Sequence, residues 1–165
     1  MRRYLTVFVL ILACFLLQST VFQSLSFGGI VPNLMIVLTA SFGFMRGEQE
    51  GLVIGFICGL LCDICFGDVV GLQALIMMYI GYLNGKFSGI FYPEDIKLPM
   101  ALIIISDFSC CVISYILMFL LRGRLHFVYY LKTIIIPETV YTTIVTLLLY
   151  PIILKINVSL EAREK

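Results

Sequence analysis

The chain is poor in residues that do chemistry in water. It holds one histidine and no tryptophan, and its 11 Lys and Arg against 10 Asp and Glu leave a net charge of +1. That balance excludes a nucleic-acid binder. No basic stripe interleaved with aromatics occurs, and nearly every cation sits at the edge of an apolar run. His126 stands alone between two apolar stretches, so no Ser–His or Cys–His arrangement exists within them. HExxH, GxSxG and P-loop motifs are absent as well. An intramembrane enzyme needs groups placed to take and give protons. No such set can be assembled, so neither a catalytic residue nor a cofactor is expected.

What the chain has instead is apolar surface. Of its 165 residues 61% are hydrophobic, and the mean hydropathy is +1.09. A soluble domain is about 45–50% apolar, and one small core cannot hide the excess. The expected fold is an all-α polytopic membrane protein, a compact bundle of about six transmembrane helices in one domain. The apolar runs place spans at about 4–22, 30–45, 51–66, 70–91, 98–121 and 133–154, followed by a polar tail, 155–165, on the cytoplasmic side. Six spans of about 20 residues use roughly 120 positions, which leaves no room for a soluble domain. Pro32 suits the first turn of the second span, where its missing N–H costs no helical bond.

The start, MRRYLTVFVLILACFLLQST, has the basic and apolar parts of a signal sequence. Bulky Leu12 sits where a small residue precedes cleavage, and no polar mature domain follows. An uncleaved first span is expected. Lys and Arg set the orientation. With six spans and a cytoplasmic N-terminus, eight cations (Arg2, Arg3, Arg46, Lys86, Lys97, Lys155, Arg163, Lys165) lie inside and three (Arg122, Arg124, Lys132) outside. Both termini are then cytoplasmic. The last outer loop carries all three dissenting cations and keeps a five-span alternative open.

All six cysteines, Cys14, Cys58, Cys62, Cys65, Cys110 and Cys111, fall in apolar segments. A disulfide framework would place them in polar loops. Cys58, Cys62 and Cys65 have helical spacing, but His126 is far from them in sequence. Apolar packing is the expected role, and no metal site is expected.

A small or acidic residue recurs every fourth position at Gly47, Gly51, Gly55, Gly59, Asp63 and Gly67. Four residues advance a helix by about 400°, so the ladder stays on one slowly turning face. In lipid, such a stripe lets another backbone approach closely. Gly51, Gly55, Gly59 and Asp63 are therefore the expected contact face, serving internal packing, a groove for a partner helix, or both. Depth bookkeeping on the six-span model puts Gln18, Asn33, Asp63, Gln73 and Glu138, from five different spans, in one layer near the outer surface. Acids in membrane segments usually face a bundle interior or a cavity. The layer reads either as a polar nest for a ligand or partner helix, or as residues that cap and anchor helices at a wet interface. Asp107 lies nearer the midplane beside Ser106 and Ser109, with no basic partner inside a span.

The order of these motifs resembles the MreD family of the bacterial rod-shape machinery. The resemblance is carried by Leu17-Gln18-Ser19-Thr20, Val31-Pro32-Asn33-Leu34, Arg46-Gly47, Gly51, Gly55-Phe56 and Gly59-Leu60-Leu61-Cys62-Asp63. Gly67, Gly71-Leu72, Gly81-Tyr82 and, later, Pro137 complete it. It implies a non-enzymatic scaffold in the bacterial cell membrane that works with MreC, MreB and the glycan polymerase and transpeptidase of lateral peptidoglycan synthesis. It also implies a fold like the substrate-binding subunit of energy-coupling-factor transporters. A small-solute transporter component is thus the alternative, although the Ala-xxx-Ala signature of those subunits is reduced here to Ala13.

Overall fold

A computed structural model describes residues 2–90, 92, 94–123 and 126–162. Phe91, Arg124, Arg163 and Lys165, all used in the span or charge readings, lie outside the described residues, as do the side chains of Arg2 and Arg122. The described residues are helical almost throughout, with only a single Phe27–Ile30 bridge of strand type. The chain is an all-α polytopic membrane protein.

Helix α1 (Arg2–Leu16) continues through a π-helical stretch, Leu17–Val21, into the short α2 (Phe22–Ser24). Then come α3 (Leu34–Arg46), α4 (Glu48–Phe66) and α5 (Leu72–Lys86), which runs into a 3-10 turn, Phe87–Ile90. Helix α6 (Lys97–Arg122) is followed by α7 (Phe127–Tyr130), a second π stretch (Leu131–Ile135) and α8 (Ile136–Ala162). Among the described residues, four helical segments are long and apolar enough to cross a membrane: Arg3–Ser24, Glu48–Phe66, Lys97–Phe119 and Phe127–Ala162. The second π stretch directly precedes Pro137, which has no N–H to give the helix ladder.

Helix α3 is the axis of the fold. Every residue from Leu34 to Met45 is buried, on all faces, as befits a helix apolar all round. It packs against α1, α4, α5, α6 and α8. Only 13 residues long, it spans about 20 Å, less than a bilayer core. Both its ends therefore fall inside the protein rather than at its surface.

Helices α4 and α5 form the tightest pair. They run antiparallel, so Gly59 meets Ala74, Gly55 meets Met77, Gly51 meets Gly81, and Gly85 meets Glu48. At each of these five glycines a Cβ would overlap backbone atoms of the opposing helix. A Cβ on Gly43 of α3 would likewise stand 2.7 Å from the Gly81 carbonyl oxygen. Thr39 of α3 lays its methyl group against the same seam, next to the Cβ directions of Gly55 and Gly81. The ladder expected from the sequence is thus filled by the chain's own α5 and α3. Among the described residues, Gly51, Gly55 and Gly59 leave no room there for a partner helix. Gly47 stands outside the helical ladder: its φ of +104° makes the one-residue turn between α3 and α4, a conformation that favours glycine.

The C-terminal end of α3 is held by a polar cluster. Arg46 donates to Asn157 of α8 and lies 3.8 Å from Glu50 of α4, and Arg3 of α1 pairs with Glu50. Asn157, fully buried, donates onward to Glu161 at 3.1 Å. Four helices are tied together at this Arg46 end.

If the seam holds the fold, Gly55→Ala forces α4 and α5 apart at the cost of overpacking, about 1–3 kcal/mol. Gly89→Ala, where a Cβ meets nothing within 4 Å, serves as the control. Thermal melts in detergent should show a lowered midpoint for the first and none for the second. Equal midpoints contradict the seam.

Candidate functional site

The opposite end of the bundle, where α3 begins, gathers the polar residues. A helix leaves its first backbone N–H groups without intrahelical partners, and α3 starts in the interior. The Gln18 side-chain oxygen accepts from the N–H of Leu34 at 2.9 Å and of Met35 at 3.3 Å. Asn33, the N-cap, accepts from Ile36 N–H at 3.2 Å, and its own N–H donates to Thr142 Oγ1 at 3.1 Å. Every donor of the α3 start is accounted for, by α1's π stretch, by the cap and by α8.

Helix α5 starts in the same layer and is met by a carboxylate. Asp63, 3% exposed in the last turn of α4, accepts through Oδ2 from Gly71 and Ala74 N–H, both at 2.9 Å, and through Oδ1 from Gln73 N–H at 3.1 Å. An anion at a helix N-terminus gains from the orphan donors and from the helix dipole together. Gly71, at φ +100°, turns the chain so that these N–H groups converge on Asp63. Asp63 therefore acts as the cap joining α4 to α5, one of the two roles open from the sequence.

Gln73 looks the other way, toward α6. Its side-chain oxygen accepts from Ser114 Oγ at 3.0 Å, and its amide donates to Cys110 Sγ at 3.3 Å. Glu138 stands in the first turn of α8. Beside it are Asp107 and Cys111, one helical turn apart on α6, and the ligand atoms of the three lie within 4.8 Å of one another. Asp107 is fully buried, and neither of its carboxylate oxygens has a hydrogen-bond donor.

Two neighbouring cavities open into this layer. One, about 320 Å³, is lined by all five polar-layer residues, Gln18, Asn33, Asp63, Gln73 and Glu138. The other, about 440 Å³, shares Asn33, Gln73 and Glu138 and adds Cys111, Ser114, His126 and an aromatic wall of Tyr115, Phe119, Tyr129 and Tyr130. Tyr115 and Tyr130 rings pack at a tilt of 31° with centroids 4.3 Å apart. The structure thus brings the five residues to one place, but three of them, Gln18, Asn33 and Asp63, spend their oxygens on backbone. Gln73 and Glu138 keep side chains toward the cavities.

Cys58, Cys62 and Cys65 stay apart from His126, and all six cysteines are free thiols. Sequence reading assigned Cys111 to apolar packing and missed Thr142 and Ser114. The four-residue step from Asp107 to Cys111 was the available signal for the first, since it puts both on one helix face. Nothing in the sequence pairs Thr142 with Asn33 across 109 positions.

Asp63→Asn tests the cap. The amide keeps the shape, but its NH2 faces backbone donors, so at least one charge-assisted bond is lost for about 1–3 kcal/mol. A lower melting midpoint in detergent is expected; a midpoint like that of the parent chain contradicts the cap.

No curated protein and no solved structure matches the chain significantly. The family model for the rod shape-determining protein MreD matches residues 1–157. That match takes in every helix that builds the capped α3 start, the glycine seam and both cavities. The chain belongs to the MreD family, and its role lies in rod-shape determination.

Proposed function

We propose that the chain is a non-enzymatic membrane scaffold of the rod-shape machinery, holding partner transmembrane helices and thereby supporting lateral peptidoglycan synthesis. The supporting observation is a groove between α1 and α4. It encloses about 850 Å³ and is walled by Tyr4, Leu5, Phe8, Val53 and Ile57, with Arg3, Gln49 and Glu50 at one end. Because the glycine face of α4 is turned inward onto α5, the opposite face, with Val53 and Phe56 exposed, is the one left for a partner. Exposed apolar side chains are ordinary in lipid, whereas a concave slot with a polar rim gives a docking helix both contact area and a depth register. MreC is the proposed direct occupant. MreB and the elongation glycan polymerase and transpeptidase are the proposed wider assembly. The bacterial cell membrane, with both chain termini cytoplasmic, is the proposed setting.

The cavities near Glu138 support a second reading, a small-solute-binding transporter subunit. Retention of an organic solute by the detergent-purified protein in native mass spectrometry would favour it over scaffolding.

Photo-crosslinkers at Phe8 and Val53, on the groove, are compared with crosslinkers at Leu147 and Leu148, which are exposed on α8. Groove probes should capture the transmembrane segment of a bitopic partner in cells, and α8 probes should capture lipid. Capture of that segment from α8 alone, or from neither face, contradicts the proposed docking site.

A further inference from the structure

Asp107, Cys111 and Glu138 are unlike the other polar residues of the bundle end, because no backbone donor claims them. Asp63, Gln18 and Asn33 each accept from peptide N–H groups. Neither carboxylate oxygen of Asp107 accepts a well-formed hydrogen bond, although the residue is fully buried and the Thr139 and Thr142 side chains stand close by. Its polar neighbours are Glu138, Thr139 and Thr142. Thr139 Oγ1 likewise has no partner. Among the described residues no Lys or Arg side chain pairs with either acid. Two carboxyl groups facing each other inside a bundle are costly unless a cation or protons compensate them.

We propose that Asp107, Cys111 and Glu138 form a binding site for a divalent transition metal, with zinc as the ion its donors suit. Two carboxylate oxygens and a thiolate are the mixed O and S set zinc accepts, whereas calcium and magnesium take oxygen alone. Around a tetrahedral zinc with bonds of about 2.0–2.3 Å, ligand atoms sit roughly 3.4–3.8 Å apart. The present spread of up to 4.8 Å closes with small side-chain rotations. Cys111 and Glu138 also line the 440 Å³ cavity, which gives the ion a route in and leaves a fourth position for water. Binding displaces the thiol proton and any proton held by the two carboxyl groups: the Cys111 S–H bond and the carboxyl O–H bonds break, S–metal and O–metal bonds form, and the protons leave to solvent. The ion ties α6, which supplies Asp107 and Cys111, to α8, which supplies Glu138. It replaces a repulsion between two acids by a shared bond.

The test uses the full chain purified in detergent, stripped with chelator and titrated with Co²⁺ or Zn²⁺. A thiolate-to-cobalt charge-transfer band is expected, displaced by a single zinc per chain. The melting midpoint should rise on zinc addition, and apparent affinity should rise with pH as the thiol proton becomes easier to displace. Cys111→Ser should abolish the band. Asp107→Asn and Glu138→Gln, which keep shape and remove repulsion in the apo protein, should each weaken zinc binding by roughly tenfold or more. Cys65→Ser, an exposed thiol outside the cluster, should change none of this. No zinc uptake, or uptake undiminished in Cys111→Ser, or a band that disappears with Cys65 instead, overturns the proposal.

Discussion

A helix that begins inside a membrane protein must have its first N–H groups met by the protein itself, because lipid offers no acceptor. Helix α3 begins in that way, and the first donors of α5, which starts at the exposed Gly71, are met by the protein as well. Gln18 and Asn33 meet the donors of α3, and Asp63 meets those of α5. Once these donors are satisfied, α3 can be short and buried on every face, and five other helices can wrap it. The glycine seam depends on the same arrangement. With α5 started at Gly71 and clasped to Asp63, its Ala74, Met77 and Gly81 fall opposite Gly59, Gly55 and Gly51.

Much of this was legible in the sequence. Hydropathy marks the helices, and the four-residue ladder marks α4 as a close-packing helix. Depth bookkeeping puts Gln18, Asn33, Asp63, Gln73 and Glu138 at one level, and all five line one cavity. The destination of the ladder was not legible. A stripe of small residues says only that something approaches closely, and α5 offers Gly81 and Gly85 spaced to match, yet so could a partner. The work of the polar layer was equally hidden. A carboxylate in a cavity and a carboxylate capping a helix look the same until the backbone N–H groups of residues 71, 73 and 74 are placed. The charge of Asp107 could be flagged, but its juxtaposition with Glu138 depends on how α6 packs on α8.

The two ends of α3 differ in kind, and the difference bears on function. At the Arg46 end, four helices are joined through paired charges and amides. At the Asn33 end, capping side chains surround open volume, Cys111 and Glu138 line it, and the buried Asp107 lies beside them. A charge-tied end and a polar cavity at the other suit a body that holds its helices together while offering surfaces. As a scaffold in rod-shape determination, such a body would present the α1–α4 groove to a helix, while the α6–α8 end would be set by whatever fills the Asp107–Glu138 gap.

The central claim is that side chains from other helices satisfy the buried start of α3. Hydrogen–deuterium exchange of the peptide spanning Asn33–Val37, followed in lipid nanodiscs for the parent chain and for Gln18→Leu, tests it most directly. Slow exchange in the parent is predicted, with marked acceleration in Gln18→Leu confined to Leu34 and its neighbours. Fast exchange of these amides in the parent chain, or protection that survives the loss of Gln18, would contradict it.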